Sequence, residues 1–372
     1  MNEDKATRYH RSKRRARAVS LALAVALLGG LLATGLSVSL RSVAESVSPP
    51  AASFWVAPVT AIVYVALLTL INEIVGMPLA FYSGFVLERR YGLANEGMGA
   101  WLRDHVKSLA IAVVFSAGAA AIVYGLIAWS PVWWWLTAGA TFAAVIVGLT
   151  QLTPVLLLPL FYRVKPLEKE SLRARLLALA DGAGTRVLGA YEWGLSDKTK
   201  RANAALVGIG VTRRILVSDT MLAEYSDEEI EVVLAHELAH HVHGDIWKGI
   251  LFESALIVGG FFLAARVLTT FSPAIGLRGA VDVAGLPLLL LAAGAVSLAM
   301  VPVSHAISRQ YERRADRFAL DLTRNPSAFI SAMRRLGAQN LAEEHPSTIT
   351  QWLFYSHPPL RERIAAAQAF RA

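Results

Sequence analysis

The sequence predicts a mostly α-helical, polytopic membrane bundle of about six spans that carries a small α+β domain at its cytoplasmic face. Three observations lead there. Hydrophobic residues make up 55% of the 372-residue chain and charged residues only 17%, where soluble chains carry about a quarter charged. Mean hydropathy is +0.47. Several apolar stretches approach or exceed the roughly 20 residues that cross a bilayer as a helix, and Lys and Arg crowd into alternate gaps between them.

The apolar stretches lie near 18–40, 54–77, 108–129, 133–160, 249–271 and 284–303. The first follows the basic run RYHRSKRRAR (8–17), which by the positive-inside rule stays in the cytoplasm. The gaps that face the same way then hold LERRYG (87–92), WLRDHVK (101–107) and the whole segment 164–246. The opposite gaps are poor in Lys and Arg: ESVSPPAAS (45–53), SP (130–131) and SPAIGLRGAVD (272–282). A cleaved signal peptide over residues 1–40 is the rival reading, but the apolar core is long and lacks a clear A-x-A site. A net charge of +8 argues for nucleic acid only when the basic residues form a surface patch. Here many sit at membrane borders, so no nucleic-acid partner is expected and the lipid bilayer is. The chain contains no cysteine, so any metal must be held by His and carboxylate.

Four segments follow in order. Residues 1–163 read as a four-span membrane half. Residues 164–246 read as a cytoplasmic segment, 247–305 as a membrane hairpin of two spans, and 306–372 as a C-terminal cytoplasmic segment. Within 158–184 an amphipathic helix places Leu176, Leu177 and Leu179 on its apolar side. Two β-rich runs in 201–218 flank a Gly-containing turn, which predicts a hairpin. Ser226 and Glu229 form an S-x-x-E capping box, and Ile230, Val233, Leu234 and Leu238 give the helix behind it an apolar stripe. A polar helix is expected from about 304, then a helical tail broken at SHPP (356–359).

Four of the nine histidines fall within VVLAHELAHHVHGD (232–245). His236, Glu237 and His240 spell H-E-x-x-H. On a helix, positions i and i+4 project from one face, so two imidazoles can hold one zinc ion while Glu237 reaches a water as a hydrolytic base. Such zinc needs a third protein ligand. The best source is SRQYERRADRFALD (308–321), where Glu312 and Asp316 lie four apart on one helical face. Glu312 suits the ligand position, and Asp316 suits a hydrogen bond to the far nitrogen of a ligand histidine. The plainer alternative pairs Glu312 with Arg309 or Arg313 on a charged surface. His241 and His243 fall off the His236/His240 face and read as interface or solvent residues, and His305 as a packing or hydrogen-bonding one.

HELAHHVHGD followed by SRQYERRADRFA resembles the membrane zinc metallopeptidases that include the CAAX prenyl endopeptidases and the HtpX-type quality-control peptidases. LAFYSGFVLERRYGLANEGMGAWLRDHVKSL (79–109) and LLPLFYRVKPLE (157–168) are similar to the CAAX branch, and NAALVGIGVTRRILVSDTML (203–222) and YSHPPLRERI (355–364) match by pattern. The resemblance implies one Zn²⁺ per chain on His236, His240 and Glu312, with Glu237 as general base and Asp316 behind a ligand ring. It implies that Asn203 and Ala204 begin an edge strand that pairs with substrate backbone, and that His357 helps hold the scissile carbonyl. Two departures stand out: six spans are counted where eukaryotic members have seven, and Asn203 is followed by Ala-Ala-Leu rather than aromatic residues. The expected activity is peptide hydrolysis at the cytoplasmic surface of a bacterial plasma membrane, on peptides or proteins that are membrane-associated or lipidated. The rivals are an HtpX-like quality-control protease and, in another class, a divalent-metal transporter or an inactive scaffold. Transport predicts ionisable groups within the spans, and Glu73 is the clearest one.

Overall fold

The computed structural model describes residues 4–49, 56–208 and 210–371. It is mostly helical. Helix α1 (Lys5–Ala33) starts at an Asp4 cap and carries the basic arm into the first apolar stretch. That stretch breaks at Gly35, where φ is +74°, and α2 (Leu36–Ser46) follows as a separate helix. Helix α3 (Val56–Phe81) passes through a π turn, Tyr82–Val86, into α4 (Leu87–Arg90). Next come α5 (Met98–Trp129) and α6 (Trp134–Leu152), then a second π turn, Thr153–Leu157, and the short α7 (Leu158–Phe161).

A small sheet is built from β1 (Val164–Pro166), β2 (Ala190–Trp193), β3 (Ala204–Val207) and β4 (Arg214–Ser218). Helix α8 (Glu170–Gly182) lies between β1 and β2 in the chain, and α9 (Asp219–Glu224) follows β4. Helix α10 (Asp227–Val242) leads into α11 (Asp245–Phe271) and α12 (Leu286–Thr323). The chain ends in α13 (Pro326–Gln339), α14 (Thr348–Phe354) and α15 (Leu360–Gln368).

Among the described residues, five helical stretches are long and apolar enough to cross a membrane: Lys5–Ala33, Pro58–Arg90, Met98–Trp129, Asp245–Phe271 and Val283–Thr323. The remaining predicted span, 133–160, contains the shorter apolar helix Trp134–Thr150, because the π turn with Pro154 interrupts regular helix. The expected polar helix after 304 is not a separate element. It continues the last apolar stretch in one 38-residue rod, α12, about 57 Å long at 1.5 Å per residue. A change of side-chain polarity does not itself end a helix.

The bundle buries Tyr64, Tyr124 and Trp134. Helix α11 lies so close to α6 that a Cβ on Gly139 would stand 2.7 Å from Val258 Cγ2. Between the helices is a cavity of about 740 Å³, lined mainly by apolar side chains such as Leu68, Phe142 and Leu289, with Asn72 and Glu253 among them. Helix α11 carries the chain about 40 Å from α10. At that far end Arg41 Nη1 meets Asp282 Oδ2 at 2.5 Å, and both side chains are buried. Ser37 Oγ joins Tyr64 Oη (2.6 Å) and the carbonyl of Ala284 (2.6 Å) beside them.

The sheet order is β1-β2-β4-β3. β2 and β4 are parallel, whereas β1 pairs antiparallel with β2 and β3 antiparallel with β4. The predicted hairpin is thus β3–β4, with β3 left at the edge. β1 and β2, absent from the sequence expectation, are three and four residues long, too short to display a period of two. Helix α10 packs on this sheet through Ile230, Val233, Leu234 and Leu238, all buried together with Leu176, Ile215, Phe329 and Met333. Its capping box is formed from both sides, Ser226 to the Glu229 N–H and Glu229 back to the Ser226 N–H.

The basic arm of α1 ties this domain to the bundle. Buried Tyr9 donates its hydroxyl to Glu88 Oε1 (2.6 Å) and accepts from Arg201 Nη2 (2.6 Å). Arg14 pairs with Glu343 at 2.6 Å. At the other end of the bundle, Arg41→Met leaves the Asp282 carboxylate buried without its counter-charge, and breaking such a pair costs about 3–5 kcal/mol. Thermal unfolding in detergent should show the Arg41→Met variant strongly destabilised, with Asp282→Asn added to it recovering part of the loss. Equal melting of wild type and Arg41→Met would contradict a stabilising role.

Candidate active site

Helix α10 presents His236, Glu237 and His240 toward α12, which brings Glu312 and Asp316. His236 Nε2 lies 3.2 Å from Glu312 Oε2, and His240 Nε2 lies 3.5 Å from Glu312 Oε1. One ligand atom from each of the three residues falls within 4.8 Å of the other two. The alternative pairing of Glu312 is not adopted. Arg309 instead donates to the carbonyls of Gln351 and Tyr355, and Arg313 to Glu362.

The rings are oriented from behind. His236 Nδ1 stands 2.9 Å from Asp316 Oδ1. A lone pair there would face a carboxylate, so Nδ1 carries a hydrogen and Nε2 is the nitrogen directed at Glu312. His240 repeats the arrangement, with Nδ1 3.1 Å from Asp245 Oδ2. Glu312 Oε2 is buried and makes no hydrogen bond. Two imidazole nitrogens and one buried carboxylate oxygen without a hydrogen bond therefore converge, whereas buried polar atoms in folded proteins are usually satisfied. Two imidazole nitrogens and a carboxylate are the donor set of a divalent cation such as zinc, and the residues present fit that group.

The electrostatics agree. Burial disfavours the imidazolium of His236, but the Asp316 and Glu312 carboxylates on either side of the ring outweigh it and lift its pKa to about 9. Burial works against the charge of Glu312 as well, yet the adjoining His236 and His240 rings hold it well below the usual carboxylate range. Such a site attracts positive charge. Glu237 behaves oppositely: burial raises its pKa, opposed by the nearby His236 and His240.

A cleft of about 390 Å³ opens on this cluster, lined by His10, Asn203, Ala204, His236, Glu237 and His357 among others. Asn203 directly precedes β3, and Ala204 is its first residue. His357 lies at the mouth, half-exposed, with Nε2 3.4 Å from Glu312 Oε1. Five of the eight residues singled out from the sequence thus line this cleft, and His240, Glu312 and Asp316 lie beside His236 behind it.

Three neighbours escaped the sequence reading. Asp245 follows Gly244, whose φ of +68° makes the sharp turn from α10 to α11, and nothing in the run HELAHHVHGD distinguishes its last residue as a partner of His240. Arg314 pairs with Asp245 from α12. Arg363 of α15 donates to Asp316 at 2.5 and 2.9 Å and arrives from 47 residues away. Among the remaining histidines, His243 packs edge-on against Phe318, His241 meets the Leu206 carbonyl, and His305 lies 3.3 Å from that of Trp352. Glu73 is not an isolated charge in a span, since His105 Nε2 lies 2.6 Å from it.

Comparison with known proteins identifies the family. Residues 166–371 match the model of peptidase family M48. Residues 2–163 match that of the CAAX prenyl protease N-terminal region with five membrane helices, one more than the four spans counted in that half. A metalloprotease of Bacillus subtilis, YhfN, is 31% identical over 82% of this chain and 72% of its own. CAAX prenyl protease 1 of Saccharomyces cerevisiae is 27% identical over 82% of this chain and 71% of its own. The crystal structure of S. mikatae Ste24p superimposes with a TM-score of 0.84 at 24% identity, over 98% of this chain and 87% of that one, a likeness of fold. With the M48 match spanning more than half its length and the converging His-His-Glu cluster inside it, this chain belongs to peptidase family M48 and is an integral-membrane metalloendopeptidase.

Proposed function

We propose that the chain binds one zinc ion through His236, His240 and Glu312 and hydrolyses peptide bonds at the cytoplasmic surface of a bacterial plasma membrane. The observation that carries this reading is the orphaned Glu312 Oε2 among the two Nε2 atoms. When bound, zinc polarises the scissile carbonyl and makes water nucleophilic near neutral pH. Glu237, made more basic by burial, takes a proton from the attacking water and returns it to the leaving amine nitrogen. His357, at the cleft mouth, donates to the oxygen that becomes negative as the carbonyl is attacked. Asp316 and Asp245 hold the two rings in the tautomer that leaves Nε2 free. Asn203 and Ala204 begin the edge strand that pairs with the backbone of an extended substrate.

The substrate is a peptide or protein that is membrane-associated or lipidated. The basic gaps argue for the cytoplasmic side. The apolar cavity between α3, α5, α11 and α12 lies in the same molecule as the cleft, and α11 and α12 each join the membrane bundle to the site. The CAAX-type N-terminal match favours this reading over an HtpX-like quality-control protease. Transport by His236, His240 and His243 is disfavoured because His243 packs on Phe318, away from the cluster.

Glu237→Gln removes the base and leaves the ligands. Metal analysis should find about one zinc in both proteins, with turnover in the variant lower by roughly 10²–10⁴-fold; an active variant would refute the role. Asp245→Ala should weaken zinc affinity by roughly 10–100-fold in chelator competition, whereas unchanged affinity would mean that the His240–Asp245 contact is incidental. A membrane-tethered peptide should be cleaved faster than the same peptide free in solution, and equal rates would exclude selection through the membrane.

A further inference from the structure

The edge of β3 can be read residue by residue. Ala204 pairs with Val217 and Leu206 with Ile215, so Asn203 lies opposite Ser218, and the Ser218 N–H donates to the Asn203 carbonyl at 2.9 Å. In an antiparallel ladder such hydrogen-bonded pairs alternate with pairs whose backbone groups point away. Asn203, Ala205 and Val207 therefore face β4, and the N–H and C=O groups of Ala202, Ala204 and Leu206 point toward the open side. An added strand pairs there with every second residue.

Two of those three outward carbonyls are met by side chains. His241 Nε2 lies 3.0 Å from the carbonyl of Leu206, and since a carbonyl only accepts, this nitrogen carries the hydrogen. Asn340 Nδ2 approaches the carbonyl of Ala202 at 3.5 Å. A donor seated on an edge carbonyl occupies the line along which a further strand would run. Ala204, between them, also lines the cleft with Glu237. His241 is the neighbour of His240 on α10, so its bond to β3 ties the strand edge to the helix that bears the rings.

We propose that His241 is a positioning residue that ends the substrate-pairing edge of β3 after Ala204, so that the cleft reads the backbone of an extended peptide at one residue only. This rests on the reading of β3 as the substrate edge. Backbone pairing is then short, and discrimination between peptides falls to side-chain contacts in the cleft and to membrane attachment.

The test is an N-methyl scan of one cleaved peptide, with the zinc-loaded full-length protein in detergent as wild type, His241→Leu and His241→Gln. Zinc content and melting temperature are measured for each. In the wild type, methylation at a single backbone amide near the scissile bond should raise KM by about fivefold or more, the worth of one hydrogen bond. His241→Leu should expose the Leu206 carbonyl and add a second sensitive amide two residues from the first. His241→Gln, whose carboxamide keeps a donor, should restore the single-position pattern. A second sensitive amide two residues away already in the wild type overturns the proposal. So does a His241→Leu profile identical to wild type in a folded, zinc-loaded variant. If His241→Leu does not fold, the wild-type scan decides by the number of sensitive amides. A wild type with no sensitive amide refutes the edge reading itself, and the two failures are thereby told apart.

Discussion

The structure depends on a buried conflict of lone pairs. His236 and His240 each turn Nε2 toward Glu312 because Asp316 and Asp245 hold their Nδ1 atoms. Removing either rear carboxylate frees a ring to turn or to change tautomer, and the cluster then loses its shared focus. The rear carboxylates are themselves held, Asp316 by Arg363 and Asp245 by Arg314. Positive charge behind and negative charge in front keep four ionisable side chains buried in one place, which an unpaired charge could not sustain.

Helix continuity places this cluster next to the bundle. Glu312 and Asp316 sit on the same rod, α12, that includes the apolar stretch beginning near Leu286. Asp245 opens α11, the other long helix of that pair. The contacts that orient the rings are therefore made by residues at the ends of helices packed within the bundle. The π turns after α3 and α6 and the tight α6–α11 contact at Gly139 belong to the same scaffold. The arm of α1 adds a second tether, because Tyr9 and Glu88 hold Arg201 two residues before the first residue of the cleft edge. The arm of α1 and the approach to the edge strand are thus joined in one hydrogen-bonded cluster.

A large part of this was legible from residues alone, and the reasons are local. The spacing of His236 and His240, the capping box and the apolar stripe are all consequences of a 3.6-residue period, and the sheet confirms only what that helix packs against. Long apolar runs stand out by length. The hairpin was legible through its Gly-containing turn. What escaped were contacts whose partners are distant in sequence or short in extent. The parallel pairing of β2 with β4 joins segments more than twenty residues apart. Arg363 reaches Asp316 from another helix, and the meeting of His241 with Leu206 has no periodic signature.

The sequence by itself determined that the chain is a membrane bundle with a two-histidine, one-glutamate helix, because hydrophobic length and helical spacing are properties of consecutive residues. Tertiary structure alone decided that Glu312 escapes its neighbouring arginines, that Asp245 stands behind His240, and that one edge of β3 is left open beside Glu237. Each of those depends on which elements pack together, and packing is a property of the whole chain.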